Sequence, residues 1–380
     1  MKSIKLFFSA VCFLHLAFSL QACATKEAAS IPIQDNYIKS GLIEIKTSLP
    51  NLAYYSLQCV DEQHCWISDN RNIYRTNNSD VSWEHSFTMS DDGQIAGLFF
   101  LDVQSGWQWN QNEYFETNDG GRNWIAHTLP VLEILKGKFE GLVVAENKQS
   151  FYLYGGAYRL ITSEEKKYGG YSPHYMSLDR KSVLATAIYC SQDEGKSWKP
   201  LDFPSVVGTI SSISMISEKS AIALVGKSVF FTGDGQNKWE LCTFDKSCVS
   251  SDFFGLEYEG KPQSIFFLNQ SIGWVGFSDG RVSKTTNAGK TWCDASLPKE
   301  VKTDPVVNGQ VGFTQLVFVD EFNGWGLTNS GQLCQTRDGG KKWNHVHEKL
   351  LFEDLELIGK KNIMLVSKNG LFRLNLDKSR

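Results

Sequence analysis

The chain of 380 residues carries 38 lysines and arginines against 42 aspartates and glutamates, a formal net charge of −4. No run of basic residues interrupts that balance, which argues against a nucleic-acid partner. Nine cysteines without CxxC spacing offer no zinc site, and no cofactor-binding motif is present.

Lys2 and Lys5 precede an apolar run from Leu6 to Leu20, which reads as a secretory signal and is short for a membrane span. The run ends in Leu20-Gln21-Ala22-Cys23, which resembles the bacterial lipobox. That resemblance implies a signal peptide over 1–22 and lipid attachment at Cys23, which becomes the first mature residue. With Ala24 next in line, it also implies an outer-membrane lipoprotein facing the periplasm. An ordinary signal cleaved nearby, with Cys23 incidental, is the alternative. Residues 23–39 are polar and read as a tether, leaving 40–380 as one domain.

From residue 42 onward the chain reads as short strands. Leu42 to Pro50 is an isolated strand ending in Leu-Pro, as do the segments that follow several later repeats. Two motifs then alternate. The first is an apolar strand, a short polar turn and a second strand. Residues 100–107 read Phe-Leu-Asp-Val-Gln-Ser-Gly-Trp, with counterparts at 267–274 and 318–325 and weaker ones at 59–66, 144–151, 215–222 and 357–364. The second is Ser/Thr-x-Asp-x-Gly-x-x-Trp. Its strict copies carry Thr117, Asp119, Gly121 and Trp124; Ser191, Asp193, Gly195 and Trp198; and Thr336, Asp338, Gly340 and Trp343. Looser copies end at Trp83, Trp239 and Trp292. This is the Asp-box. Its hydroxyl and carboxylate satisfy backbone amides of a tight turn, Gly supplies positive φ, and Trp covers the hairpin. Asn78 and Asn287 replace Asp in two copies, which suits a structural turn better than a catalytic or metal loop.

Four strands per repeat at spacings near 40–50 residues describe propeller blades. The expectation is an all-β, seven-bladed β-propeller of four-stranded antiparallel blades. The last unit, Leu355 to Leu376, supplies only three strands, and residues 41–50 are expected to complete it and close the ring. Six blades with a loose tail is the alternative. Successive turns of a blade alternate between the two faces of the ring. Both motifs therefore share one face, and the long irregular segments 163–184, 242–261 and 299–312 fall on the other. Variable loops on a rigid scaffold are where binding usually resides. The binding surface is accordingly expected opposite the Asp-boxes, with Tyr168, Tyr171, His174 and Tyr175 of the blade-three insertion as contact residues. Arg71 and Arg281, beside Asp69 and Asp279, read as solvated turn residues and complete the candidate binding set.

Phe and Gly of the first motif are jointly replaced in blade one by Cys59 and Cys65, which predicts a disulfide. Cys242 and Cys248 have the same spacing and form a second, weaker candidate pair. Cys190, Cys293 and Cys334 remain, an odd number read as buried on strands.

Asp-boxes also occur in sialidases, but the Arg-Ile-Pro-type motif those enzymes carry ahead of the first box is absent and arginine is scarce throughout, so glycosidase activity is not expected. His345 and His347 share one strand face without further ligands nearby. The whole repeat unit resembles the photosystem II stability/assembly factor family. That resemblance implies a seven-bladed, non-enzymatic propeller that holds a membrane-protein intermediate, in some members as a lipoprotein. The family's arginine-rich surface has no counterpart here, which points to a related scaffold outside photosynthesis. The expected protein is a monomer, needs no cofactor, touches the membrane only through its lipid, and binds an envelope or membrane protein. The alternatives are an immunity protein against an envelope-directed toxin and a sialidase-like glycan hydrolase or glycan-binding propeller.

Overall fold

A computed structural model describes residues 41–377 except for 51–55, 79–81, 91–92, 111–112, 129–136, 146, 162–176, 178–181, 205–207, 218, 235–237, 246–259, 297–311, 348–349 and 369. The signal sequence, Cys23, the tether, Cys248 and the insertion residues Tyr168, Tyr171, His174 and Tyr175 lie outside the described residues.

Blade one consists of Ser56–Cys59, Cys65–Ser68, Asn72–Thr76 and Glu84–Thr88, hydrogen-bonded antiparallel in that order. The same meander runs from Gly97–Phe100 to Ile125–Thr128 in blade two and from Gly137–Val144 to Lys199–Pro200 in blade three. Blade four runs from Ile210–Met215 to Glu240–Leu241, blade five from Pro262–Phe267 to Thr291–Ser296, and blade six from Phe313–Phe318 to Asn344–His345. Blade seven is formed by Asp354–Ile358, Asn362–Ser367 and Gly370–Asn375, with Leu42–Ile45 as its outer strand and Leu42 opposite Leu374. Seven sheets exclude the six-bladed alternative, and the chain is an all-β seven-bladed propeller.

The burial pattern follows from stacking. A sheet packed on both faces needs apolar side chains in both directions, and Ala221–Val225 and Gly324–Thr328 are buried at every position. Outer strands such as Glu84–Thr88 and Ile125–Thr128 are mostly exposed. The hydrophobic cores therefore lie between blades rather than within them. One joins Leu98 and Phe100 of blade two to Trp66 and Ile73 of blade one. Another joins Leu57 and Ile67 to Met364 and Val366 of blade seven.

Near the axis, where the first strands of neighbouring blades approach one another, side chains link backbone edges that strand pairing leaves open. The Gln58 amide donates to the Phe100 carbonyl at 3.2 Å and accepts from the Phe100 N–H at 2.6 Å. The Leu57 N–H donates to Asp354 Oδ2 at 2.6 Å, and the Gln315 amide donates to Asp354 Oδ1. Each buried donor is thereby satisfied, which a strand edge facing a packed core requires.

Three features depart from the sequence reading. The 242–261 segment is not wholly irregular: Thr243–Asp245 runs parallel to Thr291–Ser296 as a fifth strand of blade five. The last residues of the 163–184 insertion belong to a strand, because Ser182–Ser191 pairs with Phe151–Leu160 along its whole length.

The third correction concerns the thiols. Cys59 and Cys65 face each other across the first hairpin and are joined by a disulfide, with Cα atoms 4.1 Å apart. Cys242 is free and buried, so the Cys242–Cys248 pair fails. Its thiol lies against Trp292, and burial pushes it up to about 12. Of the three cysteines left over on strands, Cys293 is disulfide-bonded, whereas Cys190 and Cys334 are free and buried. Its partner is none of the other described cysteines, which are free or joined in the Cys59–Cys65 bridge. Asp245 sits opposite Cys293 in the parallel register, three residues before Cys248. Non-reducing peptide mapping is expected to recover a Cys248–Cys293 peptide; a Cys242–Cys248 peptide would contradict the register argument.

Candidate functional site

The Asp-box turns are built alike. In blade two the Thr117 hydroxyl donates to Asp119 Oδ1 at 2.9 Å and accepts from the Gly121 N–H at 2.8 Å. Asp119 accepts from the Arg122 and Asn123 amides, and these donors, with the Asn123 side chain, hold its carboxyl down at about 2. Ser191/Asp193/Gly195 and Thr336/Asp338/Gly340 repeat the pattern. Thr76 with Asn78 and Thr285 with Asn287 keep the hydroxyl-to-Oδ1 bond in the looser copies. Gly121, Gly195 and Gly340 have φ of +84°, +79° and +96°, the left-handed region where a side chain would be strained.

The tip of each strict box also bonds to the first turn of its own blade. Gly120 N–H donates to the Gln104 carbonyl, Glu194 N–H to Gln149 and Gly339 N–H to Phe322. The two repeated turns therefore share one face, and that face is held by short backbone bonds.

On the opposite face lie the turns between second and third strands. Arg71 and Arg281 occupy corresponding places there, in Asp69-Asn70-Arg71 and Asp279-Gly280-Arg281. Arg71 is exposed and its guanidinium donates to the Met89 carbonyl at 3.3 Å. Arg281 corrects the expectation of a solvated turn. Its side chain is only 5% exposed, 3.3 Å from Asp279, 3.5 Å from Asp294, and 3.9 Å above the Phe277 ring. It is a buried pairing residue, and the close approach of Gly260 to the Asp279 carboxylate helps to close it off from solvent. The two arginines, on blades one and five, do not form a common site.

His345 and His347 do not converge on a metal. His345 Nδ1 lies 3.6 Å from Cys334 Sγ, and His347 Nδ1 accepts from the Leu350 N–H. Among the described residues no cluster of three ligand-type side chains occurs.

A cleft of about 220 Å³ lies on the boxed face between blades one and two. His64, Trp66, Arg75, Val103, Gly120 and Arg122 line it. Arg75 pairs with Glu84 of its own blade at 2.7 Å, and its other terminal nitrogen is 3.4 Å from the Gly120 carbonyl. Trp66 forms the floor, its indole N–H donating to the same carbonyl at 3.1 Å. Sequence reasoning singled out none of His64, Arg75 and Arg122. The available signal was that Arg75 directly precedes a box hydroxyl and Arg122 directly follows a box glycine, so both project from the rigid turns.

These features define a seven-bladed propeller whose repeated turns share one face, with a cleft lined by Arg75, Glu84 and Arg122 between two of its blades. No protein-family profile matches the chain. In sequence it is similar to the photosystem II assembly lipoprotein Ycf48 of Picosynechococcus sp., 23% identical over 282 residues, 70% of this chain and 78% of that protein. It is also similar to the chloroplastic photosystem II stability/assembly factor HCF136 of Arabidopsis thaliana, at 25% over 259 residues, 60% of this chain. The latter match spans only 61% of the plant protein. A solved YCF48 bound to a D1 peptide superposes on 88% of this chain and 96% of its own, at a TM-score of 0.59 and 18% identity. A GH74 xyloglucanase from Xanthomonas campestris shares the fold at a TM-score of 0.60 and 13% identity, over 54% of its length.

Proposed function

We propose that the protein is a non-catalytic scaffold that binds a segment of an envelope membrane protein during its assembly. The observation that carries this reading is the sequence likeness to two proteins named as assembly factors, one of them over 70% of this chain. The ring superposes on a solved YCF48 that holds a peptide; the contact residues expected on the face opposite the Asp-boxes lie outside the described residues, and the boxed face offers instead a cleft lined by Arg75 and Arg122. The GH74 likeness supports the fold alone. Affinity capture from detergent-solubilised envelopes, followed by mass spectrometry, is expected to return one membrane protein or its assembly intermediate. Turnover of xyloglucan or of a sialoside panel would overturn the non-catalytic reading.

The proposed location follows from Leu20-Gln21-Ala22-Cys23: a lipid-anchored protein at the periplasmic side of the outer membrane. Several acyl chains, at about 0.8 kcal/mol per buried CH₂, would make attachment effectively permanent. Cys23→Ser is expected to release the protein to the soluble periplasmic fraction or to leave an unprocessed precursor. Fractionation and migration like the wild type would refute the anchor.

A further inference from the structure

The molecule contains two copies of the same blade junction, and only one of them is closed by its own charges. Between blades five and six, Trp274 stacks on Phe318 at 3.7 Å and its indole N–H donates to the Gly339 carbonyl at 3.0 Å. Between blades one and two, Trp66 stacks on Phe100 at 3.6 Å and donates to Gly120. In the first junction Lys284, 5.2 Å above the Trp274 ring, crosses to Glu321 of the next blade at 3.0 Å. Arg75 is the counterpart of Lys284, since each precedes its box threonine. The counterpart of Glu321 is Val103: both present their carbonyl to the first box glycine, at 2.8 Å and 2.6 Å from a built Cβ. With valine at that position in place of a carboxylate, Arg75 pairs with Glu84 of its own blade, which is 64% exposed. The place that Glu321 fills elsewhere is left as the cleft, with Arg122 at its rim.

We infer that this cleft receives an Asp or Glu side chain from an extended acidic segment of the protein partner, seated where Glu321 sits in the other junction. The inference rests on the scaffold reading and names the chemistry that scaffold selects. A carboxylate entering beside Val103 meets two guanidinium groups, whose planar forks suit it better than an ammonium would. Trp66 and Val103 supply an apolar wall for the adjoining methylenes. Glu84 remains accessible to solvent, so Arg75 can exchange it for the incoming group without leaving a charge buried and unpaired.

The test is fluorescence anisotropy on the full mature chain with a labelled Ser-Gly-Glu-Glu-Gly-Ser peptide and its Gln-Gln counterpart at low ionic strength. The acidic peptide is expected to bind at least tenfold more tightly, and to weaken as salt screens the contact. Val103→Glu supplies the missing carboxylate from the protein itself and should reduce binding tenfold or more with an unchanged melting curve. Arg122→Ala, on an exposed turn, should weaken binding independently. Equal binding of the Gln peptide overturns the inference, as does undiminished binding by a folded Val103→Glu protein. Capture of an envelope partner undiminished by Val103→Glu would sink the cleft and leave the scaffold standing. Peptide binding without any captured partner would sink the scaffold and leave the cleft.

Discussion

Trp274→Ala is expected to destabilise the propeller by about 3–5 kcal/mol, the range for removing a large aromatic from a packed core. Trp274 is fully buried, lies flat against Phe318 with planes 4° apart, and bonds through its indole to Gly339 of the next blade. Comparing two Trp→Phe changes separates the packing from the bond. Trp274→Phe keeps much of the stack and orphans the Gly339 carbonyl, at a cost of about 1–3 kcal/mol for an unsatisfied buried group. Trp325 occupies the same place in blade six and faces blade seven, which has no box, and its indole nitrogen has no acceptor. Trp325→Phe is therefore expected to cost less than Trp274→Phe. Urea denaturation of the three variants checks the order, and equal costs for the two Phe variants would show that the inter-blade bond contributes nothing.

Stability is expected to fall as the pH rises from about 4 to about 6. Asp354 and Glu356 are buried at the junction of blades seven and one. Burial pushes the Asp354 carboxyl from 3.8 up to about 6, against the opposing pull of its Gln315, Leu57 and Leu355 donors. Burial, and secondarily the charge of Asp354, pushes Glu356 well above its usual range. A raised acid binds its proton more tightly folded than unfolded. Between the unfolded and folded values the native state therefore holds the extra proton, and stability declines with each step upward in pH. For Asp354 the loss is complete above about 6 and amounts to roughly 3 kcal/mol at 1.36 kcal/mol per unit. Glu356 acts with the same sign and carries the decline further. Asp119 and Asp193, held at about 2 by their box donors, work in the opposite sense and lose their contribution as the pH falls below 3.8. Thermal melts should show a lower midpoint at pH 7.5 than at pH 4.5, with a smaller difference in Glu356→Gln. A midpoint independent of pH over that interval would rule this out.

The repeat made the architecture legible in advance. Thr, Asp and Gly of the box each answer a local demand: a hydroxyl for the Gly121 amide, a carboxylate for the next two amides, and a left-handed φ. Local demands of that kind are written in neighbouring residues, so the turns, the strand order and the number of blades could be read from spacing. The missing fourth strand of blade seven was visible as an unmatched strand at residue 42, because a three-stranded unit leaves an unsatisfied edge.

What the neighbouring blade contributes is not local, and there the sequence was silent or misleading. Arg71 and Arg281 stand in matching turns, yet one is exposed and the other is sealed beside Asp279 and Asp294. Cys242 and Cys248 share the spacing of Cys59 and Cys65. The latter two face each other across a hairpin, whereas Cys242 is followed at once by a strand that crosses to blade five. The cleft depends on Val103 standing where blade six has Glu321, a difference without meaning until Arg75 is brought across the junction from 28 residues earlier in the chain. Sequence determined the blade because hydrogen bonds within a turn or hairpin join residues close along the chain. Only the tertiary structure decided the site, because its charges come from two blades and the balance between them is struck where the sheets meet.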